Sequence, residues 1–229
     1  MTDNALPVKL TPQPLVSAAV QIQVSSSLAD AELFGALSDG LSEFFPRVEE
    51  VSSTADGSTI LRRSGDEFVV DIGSGVLTFD CPDEYVGWVC YMSFLSKVLP
   101  QLLSRIEHAG FVRAALRYIS FFPGEQAVSE VLRVDVTLPS EVGTGRTWFR
   151  RAFSLDDTDV ELTAADGVAV EENAQSGVLL DLRVTANAVE TESTDDLLQI
   201  VVSLHSVEKR LFFQLLQRQT LATLNPEYS

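Results

Sequence analysis

The residues with the most chemical potential in this chain are two arginines inside an apolar run. In FVRAALRYISFF, Phe111 to Phe122, Arg113 and Arg117 stand four apart among residues otherwise suited to a core. On a strand that spacing puts both guanidiniums on one face with Ala115, Ile119 and Phe121, and leaves Leu116 and Tyr118 on the other. A guanidinium is a planar fork of donors that matches a carboxylate, and its aliphatic stem can cover apolar surface. One reading pairs the arginines with carboxylates of a neighbouring strand, such as Asp135 or Asp181. The other makes Arg113 and Arg117, with Tyr118, polar anchors for an anion or an acidic peptide.

A second candidate is RTWFRRAF, where Trp148, Phe149 and Phe153 interleave with Arg146, Arg150 and Arg151. Arginines among stacking aromatics can hold single-stranded nucleic acid or an acidic partner. The same charges also suit an edge strand protected against sheet-to-sheet aggregation. Trp148 and Arg150 are therefore candidate contacts. His205 lies in the closing helical stretch, but a catalytic histidine needs a nucleophile and an orienting acid within reach. Ser203 and Ser206 point elsewhere on a helix, and no GxSxG elbow is present. His205 is expected as a hydrogen-bonded helix residue or partner contact, and His108 as a residue of a helix C-terminus.

Metal and phosphate chemistry find no pattern. Cys81 and Cys90 have no zinc spacing with the two histidines, and Cys90 is expected as a buried, inert thiol in a helix. The cluster Asp156, Asp157, Asp159 and Glu161 lacks the alternation, glycine and closing glutamate of a calcium loop. EVGTGRTW, from Glu141, lacks the Lys-Ser/Thr ending of a phosphate loop and reads as a hairpin. No catalytic residue, metal ligand or cofactor site is assigned, and the balance leans against an enzyme.

Composition narrows the partners. The chain has 229 residues, 33 acidic against 16 basic, and a net charge of −17. Such a surface repels phosphate backbones and anionic lipid, so nucleic acid and membrane are poor partners. The N-terminal MTDNALPVKL has no basic and apolar leader pattern, and Lys97 and Pro100 interrupt the apolar run from Tyr85 to Leu103. A cytoplasmic protein is expected.

The elements that must position these residues follow from periodicity. Val16, Ala18, Val20, Ile22 and Val24 alternate with mainly polar residues, which predicts a half-buried strand. Ser27 is expected to cap a helix with Leu33, Phe34, Leu37, Leu41 and Phe44 on its apolar side and Pro46 at its end. STILRR, EFVVDIG and VLTFD, joined by glycine turns, predict an antiparallel meander. A long helix is predicted from near Asp83, through Trp88, Val89 and Met92, to Gly110, kinked or split at Pro100. Strands are expected at EVLRVDVTLP, RTWFRRAFSL, DVELTAADGVAV and GVLLDLRVTANA, with Asp166-Gly167 as a tight turn. One last helix should run from Asp195 to Leu224. The fold class is α+β: antiparallel sheet with three main helices on one face. It forms a single domain of residues 1–229 with two roughly similar halves, 1–110 and 111–229.

Three stretches together resemble a known family. Pro14, Leu15, Val16 and Ala18 match its opening strand, Arg113, Leu116, Arg117, Tyr118 and Ile119 its middle strand, and Leu204, His205 and Phe212 its closing helix. The chain is similar in these to a sporadically distributed, uncharacterised prokaryotic family of about this length. The family's opening strand bears acidic residues and an arginine where this chain has Ser17, Gln21 and Gln23. The resemblance thus implies that a salt bridge from that strand to Arg113 or Arg117 is lost, or replaced by amide hydrogen bonds. It implies a soluble α+β protein and carries over no catalytic residue.

The expected function is a non-catalytic interaction module, an acidic protein that binds another protein, one with a basic surface, or a second copy of itself. The alternatives are a ligand-binding or enzymatic pocket between sheet and helices anchored by Arg113 and Arg117, and an acidic inhibitor or antitoxin-like protein.

Overall fold

The computed structural model describes residues 6–26, 28–53, 59–73, 75–81, 85–104, 106, 110–134, 145–169 and 175–228. Its frame is one nine-stranded antiparallel sheet. The strands are β1 (Leu15–Ser25), β2 (Arg47–Ser53), β3 (Thr59–Ser64), β4 (Val69–Gly73), β5 (Val76–Asp80), β6 (Gly110–Pro123), β7 (Trp148–Leu155), β8 (Thr158–Val168) and β9 (Gly177–Thr191). The helices are α1 (Asp30–Leu41), α2 (Trp88–Leu103), α3 (Val128–Val131), α4 (Thr194–Leu215) and α5 (Arg218–Thr223). Across the sheet the order is β2-β3-β4-β5-β1-β6-β9-β8-β7. Strands β1 and β6 thus lie side by side in the middle.

Alternation settles which side chains meet which face. Val20 pairs with Phe79 and with Leu116, and Leu116 pairs with Val184. All four are fully buried. The neighbouring rows add Ile22, Leu77, Ile72, Leu182 and Val160, also at 0–1 % exposure. Burying such a side chain contributes about 1.5–3 kcal/mol, so this apolar face is the main stabilising surface. Helix α4 lies against β6 and β9 and touches α2, α2 touches α1, and α1 lies against β4.

Several sequence expectations change. The segment 47–53, to which the sequence assigned no element, is the edge strand β2. Helix α3 takes in Glu130 and Val131, the first two residues of the expected strand EVLRVDVTLP, and residues 135–144 lie outside those described, with Asp135 and the first half of EVGTGRTW. The expected caps and ends Ser27, Asp83 and His108 lie outside them too. At the start of α1 the Glu32 carboxylate accepts from the Ala29 N–H at 3.4 Å. Helix α2 ends at Leu103 with Pro100 inside its last turn, and Gly110 opens β6 rather than closing a helix.

Asp166-Gly167 is no turn but an irregularity inside β8, where the register shifts between Ala165 and Val168. Gly167 has φ of 63°, and a Cβ there would meet the Arg146 side chain at 2.7 Å. The β7–β8 turn is Asp156-Asp157, between the paired Leu155 and Thr158. The expected single closing helix is two helices, because Leu216 leaves α4 to bridge Leu132 and the Gln217 N–H donates to the Val131 carbonyl. Cys90 is exposed and Cys81 is the buried thiol. Val89, expected in the apolar stripe, is 81 % exposed. Among the described residues no helix is long and apolar enough to cross a membrane.

Candidate functional site

The sheet's other face carries the arginines. Arg117 of β6 stands opposite Arg183 of β9, and Arg183 opposite Glu161 of β8. One row along, Asp181 pairs with Thr163, and Thr163 with Arg150 of β7. Period two therefore brings residues of four strands to one patch. Arg117, Trp148, Arg150, Glu161, Thr163, Asp181 and Arg183 line a depression of about 350 Å³. Trp148, on the edge strand, is 68 % exposed.

Two carboxylates in the patch are committed. Arg117 donates to both oxygens of Asp181, at 3.0 and 2.7 Å, and Arg150 to Glu161 at 2.9 Å. The fork with Asp181 raises the Arg117 pKa above its ordinary value. Arg183 is different: it donates to the Gln21 amide oxygen, while the Gln21 amide nitrogen donates to Thr78 at 3.2 Å. Burial, then Arg113, lowers the Arg183 pKa. Arg113 shares this face, is exposed, and has no ion-pair partner among the described residues. The opening strand's Gln21 amide thus hydrogen-bonds Arg183, not Arg113 or Arg117, to which the expectation applied.

The Arg117–Asp181 pair is half open to solvent, with side-chain exposures of 52 % and 18 %. Exposed ion pairs contribute about 0–1 kcal/mol. Arg117→Ala should therefore lower unfolding free energy by less than about 1 kcal/mol in a urea titration; a larger loss would make Arg117 a structural residue rather than a surface group open to a role in binding.

Tyr118 and His205 meet on the opposite side of the sheet, between it and the helices. The Tyr118 hydroxyl lies 3.0 Å from that of Tyr85 and 3.3 Å from Nδ1 of His205. The His205 ring stacks on Trp88 with centroids 3.8 Å apart. One helical turn on, Glu208 is 2 % exposed. Burial raises its pKa to about 8. Burial, then Lys209, lowers that of His205 to about 4. Burial likewise raises Tyr85 to about 12. At neutral pH the cluster is thus uncharged, and His205 is a weak base. A proton donor is present in Glu208, but a side chain so deeply covered offers it to no solute. The cluster's chemistry is that of a packed polar network.

The six candidates therefore divide. Arg117, Trp148 and Arg150 share the depression, Arg113 stands near it, and Tyr118 with His205 lies behind the sheet, so Arg117 and Tyr118 cannot anchor one pocket. A larger groove of about 1190 Å³ at the sheet's end, between Pro12–Pro14, the end of β6, α3 and α5, contains none of them. Arg183 was missed, although DLRV places it two residues from Asp181 on the same face. Among the described residues no group of three or more His, Cys, Asp or Glu could hold a metal ion. No protein-family profile matches the chain, and no curated protein matches it.

Proposed function

We propose that the protein works without catalysis, as a cytoplasmic interaction module that presents the charged sheet face and the β7 edge to a partner protein. In this reading α1, α2 and α4 share the apolar face, the two halves build comparable parts of one sheet, and the opposite face stays open. The observation that carries it is the exposed, charge-bearing face itself: Arg62–Asp71, Arg117–Asp181 and Arg150–Glu161 stand on it as solvent-accessible pairs. Trp148 adds a large exposed aromatic ring at its rim, the type of residue that anchors interfaces. The chain's net charge of −17 steers a basic partner at long range, while the arginine-bearing face itself would meet that partner's carboxylates. The resemblance to the uncharacterised prokaryotic family adds no reaction.

A photo-cross-linking residue placed at Ala152 on β7, and separately at Val202 on α4, tests this. The β7 position should capture a defined protein in the host cell, and the α4 position should not. Equal capture at both positions, or none, would remove the assignment. Light scattering of the purified chain shows whether a second copy is that partner.

A further inference from the structure

The sheet-face depression holds three guanidiniums, Arg117, Arg150 and Arg183, against two carboxylates, Glu161 and Asp181. Each carboxylate already accepts from one arginine. Among the described residues Arg183 donates to a neutral amide oxygen, although a guanidinium has five donors and a half-buried charge is stabilised by a charged partner. Arg113 on the same face adds a further positive charge with no anion of its own among the described residues. In a chain of net charge −17 this is a hollow whose described lining carries one more guanidinium than carboxylate.

We propose that this hollow is a binding site for a small carboxylate, a mono- or dicarboxylic acid, held by the free donors of Arg183 and Arg117 and by the Thr163 hydroxyl. The volume of about 350 Å³ suits a small molecule. Planar forks match a carboxylate two donors at a time. A phosphate fits less well, because the site has no helix N-terminus to hold it. A strongly acidic protein segment would meet the chain's overall negative charge on approach. The site is a ligand site on the face described above, and it stands or falls independently of any protein partner.

Gln21 supplies the decisive variant. In Gln21→Glu the protein provides the missing carboxylate to Arg183 itself and should fill the site from within. The experiment follows the arginine Nε–H resonances by NMR at low salt while succinate is added, with sodium chloride at matched ionic strength as control. The Arg183 resonance should shift to saturation with succinate and not with chloride. Succinate affinity should fall at least tenfold in Gln21→Glu, whose thermal midpoint stays at or above that of the unaltered protein, and similarly in Arg183→Gln. Several results would overturn the proposal: shifts that follow ionic strength alone, unchanged affinity in both variants, inorganic phosphate binding tenfold more tightly than succinate, or saturation by a glutamate-containing peptide with none by succinate. A protein captured equally by the unaltered chain and by Gln21→Glu leaves the partner assignment standing whatever succinate does.

Discussion

Glu208→Gln should stabilise the protein by about 3 kcal/mol at pH 7 and by about 5 kcal/mol above pH 8. The Glu208 carboxyl has its folded-state pKa raised from 4.5 to about 8 because burial penalises its charged form. A group raised in this way holds its proton more tightly folded than unfolded. Its contribution is complete below pH 4.5 and drains away as pH rises toward 8, at about 1.4 kcal/mol per pH unit. His205 acts in the opposite sense. Its pKa falls from 6.5 to about 4, so folding loses stability as pH drops through that window. Between pH 4.5 and 6.5 the two slopes oppose each other, and the unaltered protein should show a plateau. From 6.5 to 8 Glu208 acts alone and stability should fall by about 2 kcal/mol. The tyrosines around it, Tyr85 and Tyr118, do not reverse this, because burial raises both further out of range. Urea titrations at pH 5, 7 and 9 give the answer. Gln at 208 should remove the alkaline fall and leave the acid one. A variant that tracks the unaltered protein from pH 6.5 to 8.5 would mean that Glu208 is not held neutral in the fold.

The same helix shows why part of the fold is legible in sequence and part is not. Leu197, Val201 and Leu204 announce the buried stripe of α4, and the next position of that stripe is Glu208. A polarity pattern skips a carboxyl at a core position, since nothing local says that it will be covered. The strands β1 and β6 are legible because alternation alone orients them, and the same rule set Arg117 opposite the side of Tyr118; Asp181 is one of the two carboxylates, with Asp135, expected to pair with the arginines. Strand β2 is not, because RVEEVSS at the sheet edge has little apolar alternation. The break between α4 and α5 contains neither proline nor glycine. It arises from tertiary pairing of Leu216 and Gln217 with Leu132 and Val131, which no local propensity encodes. Cys90 was misplaced for a related reason: its neighbours in sequence are apolar, but the helical phase that buries Tyr91, Leu95, Val98 and Leu102 turns it outward. Arg183 needed the register of β6 against β9, and Gln21 needed β1 to lie between β5 and β6. The depression is therefore a product of strand order, not of any one motif.

Tyr91 joins the helical layer to the sheet at its centre, and removing it should cost most of what one side chain can. It is 1 % exposed. Its hydroxyl accepts from the Val20 N–H at 3.1 Å and donates to the Phe79 carbonyl, so it spans a facing pair of β1 and β5. Its ring packs edge-on against Phe68, with centroids 5.1 Å apart, and beside Trp88. Tyr91→Phe keeps the ring and takes away the hydroxyl, which leaves a buried donor and acceptor short of a partner; the expected loss is about 2 kcal/mol. Tyr91→Ala adds a cavity where the ring stood, and the total should reach about 4–5 kcal/mol. Since whole domains have about 5–15 kcal/mol in hand, the alanine variant should be close to unfolding at room temperature. Chemical denaturation of both variants separates hydroxyl from ring. If phenylalanine loses nothing, β1 and β5 close their own ladder beneath the helix and the hydroxyl is only a guest there. If phenylalanine loses as much as alanine, the hydrogen-bonded bridge, and not the ring, holds α2 to the middle of the sheet.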